Sequence, residues 1–132
     1  MELKNIKKLS QQWVSMTLIV LKEDNFPSDM FKNLLKESYA VLNHYHKDAL
    51  IPKEVTELLL EMDGFLYFVS LINGKEGITD MYFPAAHMAV EGVKKGFLDG
   101  KYECEFPLLR VYDNDDKPLT LDLENGYLED LF

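Results

Sequence analysis

The chain has 132 residues and a formal net charge of −9, and 47% of its residues are hydrophobic. This is the length of one ordinary domain, and the apolar content is too high for an intrinsically disordered chain. The sequence pI of about 4.7 argues against direct binding to nucleic acid or to an anionic membrane, because both require a basic surface. A basic protein partner is favoured instead.

Cys104 is the single cysteine of the chain, so the sequence predicts neither an intrachain disulfide nor a cysteine-based zinc site. Its acidic neighbours, Glu103 and Glu105, disfavour a thiolate, which predicts a structural thiol. The N-terminal apolar stretch has no small-residue cleavage site, and no apolar run is long enough for a bilayer. We therefore expect a cytoplasmic protein that begins at Met1.

The first predicted element is a helix from about Glu2 to Lys22. Apolar residues recur there at steps of three and four, at Leu3, Ile6, Leu9, Trp13, Met16 and Val20. The second half also carries Val14, Leu18 and Leu21, which predicts a central helix that is buried nearly all round. Because several residues of 14–21 are β-branched, a strand over that stretch is the alternative.

Two further helices are predicted in the next fifty residues. Ser28 followed by Asp29 indicates an N-cap and an acidic first turn for a helix that ends near Lys47. Its expected buried stripe is Phe31, Leu34, Leu35, Val41, Leu42 and Tyr45. Pro52 is suited to the first residue of a third helix. The apolar spacing of this helix continues to Ile72, with a bend or break expected at Gly64.

Residues 73–80 contain two glycines and predict a loop. A fourth helix is then expected to begin near Thr79 or Pro84 and to end near Gly96 or Gly100. Beyond Gly100 the apolar period falls from nearly four to two, which indicates β-strands.

A β-hairpin is predicted after Gly100, with its turn at 114–117. Its leucine face should pack on the helices through Leu119, Leu121 and Leu123. Its other face should point outward through Thr120, Asp122 and Glu124, with Arg110 as a cross-strand partner. The last residues, 125–132, are expected to form a short docked helical turn.

The predicted fold is thus α+β and predominantly α, in a single domain spanning residues 1–132. Four to five helices within residues 1–98 pack against a C-terminal antiparallel β-hairpin within the acidic segment 99–132. A two-stranded ribbon is barely stable alone, so the hairpin must rest on the helices.

The acidic segment carries ten acidic and three basic residues. The partner-binding residues predicted within it are Tyr112, Asp113, Asp115, Asp116, Asp122, Glu124, Tyr127, Glu129 and Asp130. A tyrosine among carboxylates is typical of a binding hot spot that faces lysine or arginine. The alternative is an aromatic residue that covers the hairpin edge.

Metal and cofactor sites are not predicted. The acids of 113–116 lack EF-hand spacing, since the sixth position is Pro118 where the motif requires glycine, so a hairpin turn is favoured. The weak candidates for a metal centre are His44 with Asp48 and His87 with Glu91, because each pair is four residues apart and shares a helix face.

Nucleophile elbows, phosphate-binding loops and metalloprotease motifs do not occur, and Arg110 is the single arginine. An enzyme is therefore the less economical interpretation. The sequence favours a non-catalytic inhibitor or immunity-type protein that neutralises a basic partner, such as a nuclease toxin. Alternatives are a DNA-mimicking inhibitor, an adaptor or regulatory subunit and, less favoured, a small metal-dependent enzyme.

Overall fold

The computed structural model describes residues 2–23, 26–71, 91, 94–95, 97, 103–105, 108–112, 115–122 and 127–128. Within these residues the fold is mainly helical with a small antiparallel sheet, as predicted. The elements are α1 (Leu3–Lys22), α2 (Ser28–Tyr45), α3 (Lys53–Leu71), β1 (Glu103–Glu105), β2 (Leu108–Tyr112), β3 (Pro118–Asp122) and β4 (Tyr127–Leu128).

The segment predicted as a fourth helix is described at four residues. Glu91, Lys94, Lys95 and Phe97 all have helical backbone, and Phe97 is buried in the core. The predicted start of this helix, and the loop before it, lie outside the described residues. The structure therefore describes three helices over their full length, which leaves the predicted count of four to five as a prediction.

The first helix, α1, is helical along its whole length, which excludes a strand over 14–21. Its predicted stripe is buried from Ile6 onward. The prediction that its second half is buried all round is wrong, because Val14, Leu18 and Leu21 are about half exposed. The physical reason is that α2 and α3 cover only one side of α1. No described helix has an apolar stretch long enough to cross a bilayer.

Helices α2 and α3 follow the predicted spacing, with three corrections at their capping, proline and glycine residues. Ser28 is the first helical residue of α2, and Pro27 takes the N-cap position without a side-chain cap. Pro52 precedes α3, where its carbonyl accepts a hydrogen bond from the Val55 amide at 3.0 Å. The predicted break at Gly64 is wrong, because α3 continues through it.

The core is organised around Trp13 of α1. Its ring centroid lies 5.2 Å from that of Phe65 on α3 and 5.9 Å from that of Phe31 on α2. Its Nε1–H donates a buried hydrogen bond of 2.9 Å to Ser38 Oγ on α2. Phe26, in the connection between α1 and α2, stacks edge-on against Phe31 at 5.4 Å. One side chain therefore links all three helices.

The sheet has the strand order β1-β2-β3-β4, with each strand antiparallel to its neighbour. The predicted hairpin is the β2–β3 pair, in which Leu109 stands opposite Leu121. Leu109 is fully buried in the helical core, and the half-buried Cys104 of β1 packs against that core. The expected helical turn at the C-terminus is wrong at residues 127–128, which form β4.

Candidate partner-binding surface

The turn between β2 and β3 carries two of the predicted partner-binding residues. Asp115 and Asp116 are both exposed. Asp116 has a φ angle of 59°, in the left-handed region that aspartate tolerates better than most residues because its side chain can bond locally. The turn therefore holds two adjacent carboxylates at the tip of the hairpin, where a partner can reach them.

The strands beside this turn add charge at fixed register positions. Arg110 stands opposite Thr120 on one side and opposite Glu103 on the other, so it has the cross-strand position that the sequence predicts. Arg110 is exposed, and so is Glu105 of β1. The sheet thus presents a cation beside acidic positions rather than a uniformly acidic face.

The outward-facing exposure predicted for β3 is wrong at two residues. Thr120 and Asp122 are each only 7% exposed. Along β3 they alternate with Leu121, which stands opposite the buried Leu109. β3 is an inner strand, with β2 and β4 on its two sides. Asp122 is therefore poorly placed to contact a partner from solvent.

The other predicted partner-binding residues divide into two groups. Tyr112 ends β2 and is half-buried, and Tyr127 lies on β4 with its Cα paired to that of Asp122. The remaining residues lie outside the described part of the chain, namely Asp113, Glu124, Glu129 and Asp130. The structure thus brings Asp115, Asp116 and Tyr112 to the turn end of the hairpin.

The weak metal candidates are not brought together in the part of the chain that the structure describes. His44 is exposed, and its ring stands edge-on to that of Tyr45 at 4.8 Å. Asp48 is also exposed beyond the end of α2, and His87 lies outside the described residues. No group of three potential ligands occurs among the described residues.

Glu91, the fourth metal candidate, belongs to an ion-pair cluster instead. Lys94 Nζ lies 3.1 Å from Glu91 Oε1 and 3.0 Å from Asp63 Oδ2 on α3. Burial opposes the charged ammonium, but the hydrogen bonds to Asp63 and Glu91 outweigh it, so the pKa of Lys94 is raised above its usual value. The cluster fastens the segment around Lys94 to α3.

A groove of about 550 Å³ runs between α1 and α2. Its apolar floor includes Met16 and Leu34, both buried. The rest of its lining is Gln12, Ser15, Ile19, Met30, Asn33 and Glu37. Glu37 is the one titratable group in this lining, so the groove offers a binding surface rather than an acid–base pair.

Exposed apolar side chains on α3 are a feature that the sequence reading missed. Leu60, Tyr67 and Leu71 are each about three-fifths exposed. A signal was present, because their spacing of seven and four residues forms a second stripe outside the main apolar period of α3. The sequence prediction followed only the main stripe and assigned no role to these three residues.

Comparison of the chain with protein-family models, with curated proteins and with solved structures gave no match.

Proposed function

We propose that this protein is a non-catalytic binding protein of the inhibitor or immunity type, which neutralises a basic partner such as a nuclease toxin. The observation that carries the proposal is the exposed carboxylate pair, Asp115 and Asp116, at the tip of a hairpin that Leu109 ties to the helical core. The acids are therefore part of a folded surface and not of a loose tail.

A fixed acidic tip suits this role for two reasons. Opposite charge accelerates encounter with a basic partner, and a surface that is already ordered loses little conformational entropy on binding. Tyr112 stands half-buried at the base of the same turn, where its ring can supply an aromatic contact beside the carboxylates. By sequence, Asp113, Glu124, Tyr127, Glu129 and Asp130 extend the proposed surface. The cytoplasm is the proposed location.

An adaptor or regulatory subunit is the second candidate function. The observation that favours it is the exposed apolar stripe of Leu60, Tyr67 and Leu71 on α3, since adaptors bind through apolar patches more than through acids. The two candidates make different predictions for salt, because only the electrostatic contact weakens strongly as ionic strength rises.

The test is capture of proteins from the source organism on the immobilised chain, at low and at high salt, with mass spectrometry of the eluted proteins. The probe variant is Asp115→Lys with Asp116→Asn, because asparagine tolerates the left-handed backbone. The matched control is Glu2→Lys with Glu23→Gln, which makes the same charge change at two exposed residues flanking α1.

The proposal predicts that wild type and control capture a basic protein at low salt and that the turn variant does not. A captured partner that is not basic, or capture that high salt leaves unchanged, contradicts the proposal. Addition of duplex DNA tests the DNA-mimic alternative. DNA releases the captured partner from the chain only if the chain occupies the partner's nucleic-acid site.

A further inference from the structure

The outer face of α3 carries a line of apolar residues that the bundle does not cover. Leu60, Gly64, Tyr67 and Leu71 are spaced by four, three and four residues, which places them on one side of the helix. The three side chains in this line are 59–65% exposed. The buried residues of α3, such as Leu58 and Met62, lie on the opposite side.

Gly64 interrupts this line where no internal contact requires a glycine. The helix is unbroken there, the residue is exposed, and an added Cβ would meet nothing within 4 Å. A glycine in a helix interior costs roughly 0.5–1 kcal/mol relative to alanine. Without a side chain, Gly64 leaves a gap between Leu60 and Tyr67 in which a second helix can approach the backbone closely.

One flank of the line is acidic. Glu57 precedes Leu60 by three residues and Glu61 precedes Gly64 by three, so both lie along the same edge. Like charges four residues apart repel each other, and among the described residues neither carboxylate is in a salt bridge. On the other flank, Asp63 is already paired with Lys94.

We propose that this outer face of α3 docks an amphipathic helix of a second protein. The apolar residues of that helix recur at steps of three and four and pack on Leu60, Tyr67 and Leu71, with the closest approach at Gly64. Its lysines or arginines lie along the edge of Glu57 and Glu61 and relieve the repulsion there. The site is separate from the hairpin tip. It rests on the apolar stripe that favours the second candidate function, and it names the kind of partner that this stripe binds.

A second copy of the chain is the less suited occupant of this face. Pairing of α3 with α3 would bring two sets of Glu57 and Glu61 into one interface, and like charges in an interface are unfavourable. Four acidic residues and one lysine lie within Lys53–Leu71, so charge complementarity points to a basic helix.

The probe is a synthetic amphipathic helix of about three heptads built from leucine and lysine, with a matched peptide in which glutamate replaces lysine. Titration calorimetry with the full chain gives the dissociation constants, and amide chemical shifts locate the contact. The proposal predicts that the lysine peptide binds, that the glutamate peptide does not, and that the shifts map to α3.

Two variants test the two parts of the site separately, namely the gap at Gly64 and the acidic edge. Gly64→Leu should weaken binding of the lysine peptide about tenfold or more and, because it removes a mid-helix glycine in open space, should raise the denaturation midpoint. Glu57→Lys with Glu61→Lys should weaken binding to a similar extent. Glu2→Lys with Glu23→Gln, at two exposed residues flanking α1, is the control and should leave binding within about twofold of wild type.

Four results overturn the proposal. They are no binding of the lysine peptide, equal binding of the glutamate peptide, chemical shifts that map to the groove between α1 and α2, and Gly64→Leu binding that equals wild type in a folded variant. Sedimentation of the chain alone tests whether a second copy of the chain occupies this face. A dimer that Gly64→Leu dissociates would assign the face to a second copy and would also overturn the proposal.

Discussion

The helical part and the sheet of this protein differ in what defines them. Residues 3–71 carry eight lysines and nine acidic residues, whereas residues 99–132 carry ten acidic residues and three basic ones. The three helices are held by an aromatic core around Trp13, while the sheet reaches that core through Leu109. The fold therefore depends on packing in the first region, and charge is concentrated in the second.

The attachment of the sheet to the helices can be broken at one residue. Leu109→Ala should lower the free energy of unfolding by about 2–4 kcal/mol, because it leaves a cavity at a fully buried position. Leu108→Ala, at the neighbouring residue that is 43% exposed, should change it by no more than about 0.5 kcal/mol. Denaturant titration followed by the fluorescence of Trp13, the single tryptophan, measures both.

Trp13 lies in the helical core, so this measurement also shows whether the two regions unfold together. If Leu109→Ala leaves the Trp13 transition unchanged, the sheet is not coupled to the bundle, and the hairpin tip is not a fixed surface.

A second comparison concerns two buried serines of the helical core. Ser38→Ala should lower the free energy of unfolding by about 1–3 kcal/mol, because the Trp13 Nε1–H loses its acceptor. Ser10 Oγ is buried, and the described residues provide no hydrogen-bond partner for it. Ser10→Ala should therefore raise the free energy of unfolding, by up to about 1 kcal/mol.

The opposite signs are the informative result, and thermal or chemical denaturation of the two variants under identical conditions measures them. Equal destabilisation by both substitutions would mean that the hydroxyl of Ser10 has a bonding partner in solution.

Helical periodicity predicted most of the buried residues of α1, α2 and α3, because a core-facing stripe repeats along the helix. It missed the fully buried Tyr39 of α2. Period-two alternation was likewise sufficient for the β2–β3 hairpin. Both predictions depend on local geometry, which a single sequence encodes directly.

Solvent exposure was less predictable because it depends on neighbouring elements. Alternation predicts that Asp122 is exposed, but Asp122 lies on an inner strand with a strand on each side and is buried. The exposure of Leu18 on α1 has the same kind of cause, since it depends on how many helices surround α1. Gly64 shows a third limit, because a glycine within an apolar helical pattern gives the same local signal whether the helix breaks there or continues.

Substitution of Lys94 tests whether its ion pairs stabilise the attachment of the segment around it to α3. Because the pKa of Lys94 is raised in the folded state, its stabilisation is complete below the ordinary lysine value of 10.5 and is lost as the pH rises through the folded-state value. Lys94→Met should remove this alkaline loss and lower the free energy of unfolding at neutral pH by at most about 1 kcal/mol.

Denaturant titrations from neutral to strongly alkaline pH measure this difference. Lys8→Met, at an exposed lysine of α1, serves as the control and should retain the alkaline loss. A parallel decline of wild type and Lys94→Met would contradict a stabilising role for the cluster.

We propose that the fold and the partner-binding charge are separable, with the charge held at the hairpin tip. Low-salt capture by wild type and by the turn variant, Asp115→Lys with Asp116→Asn, tests it most directly when both proteins show the same Trp13 unfolding transition. We predict that the variant loses the basic partner that wild type retains. Equal capture by the two proteins would contradict the account.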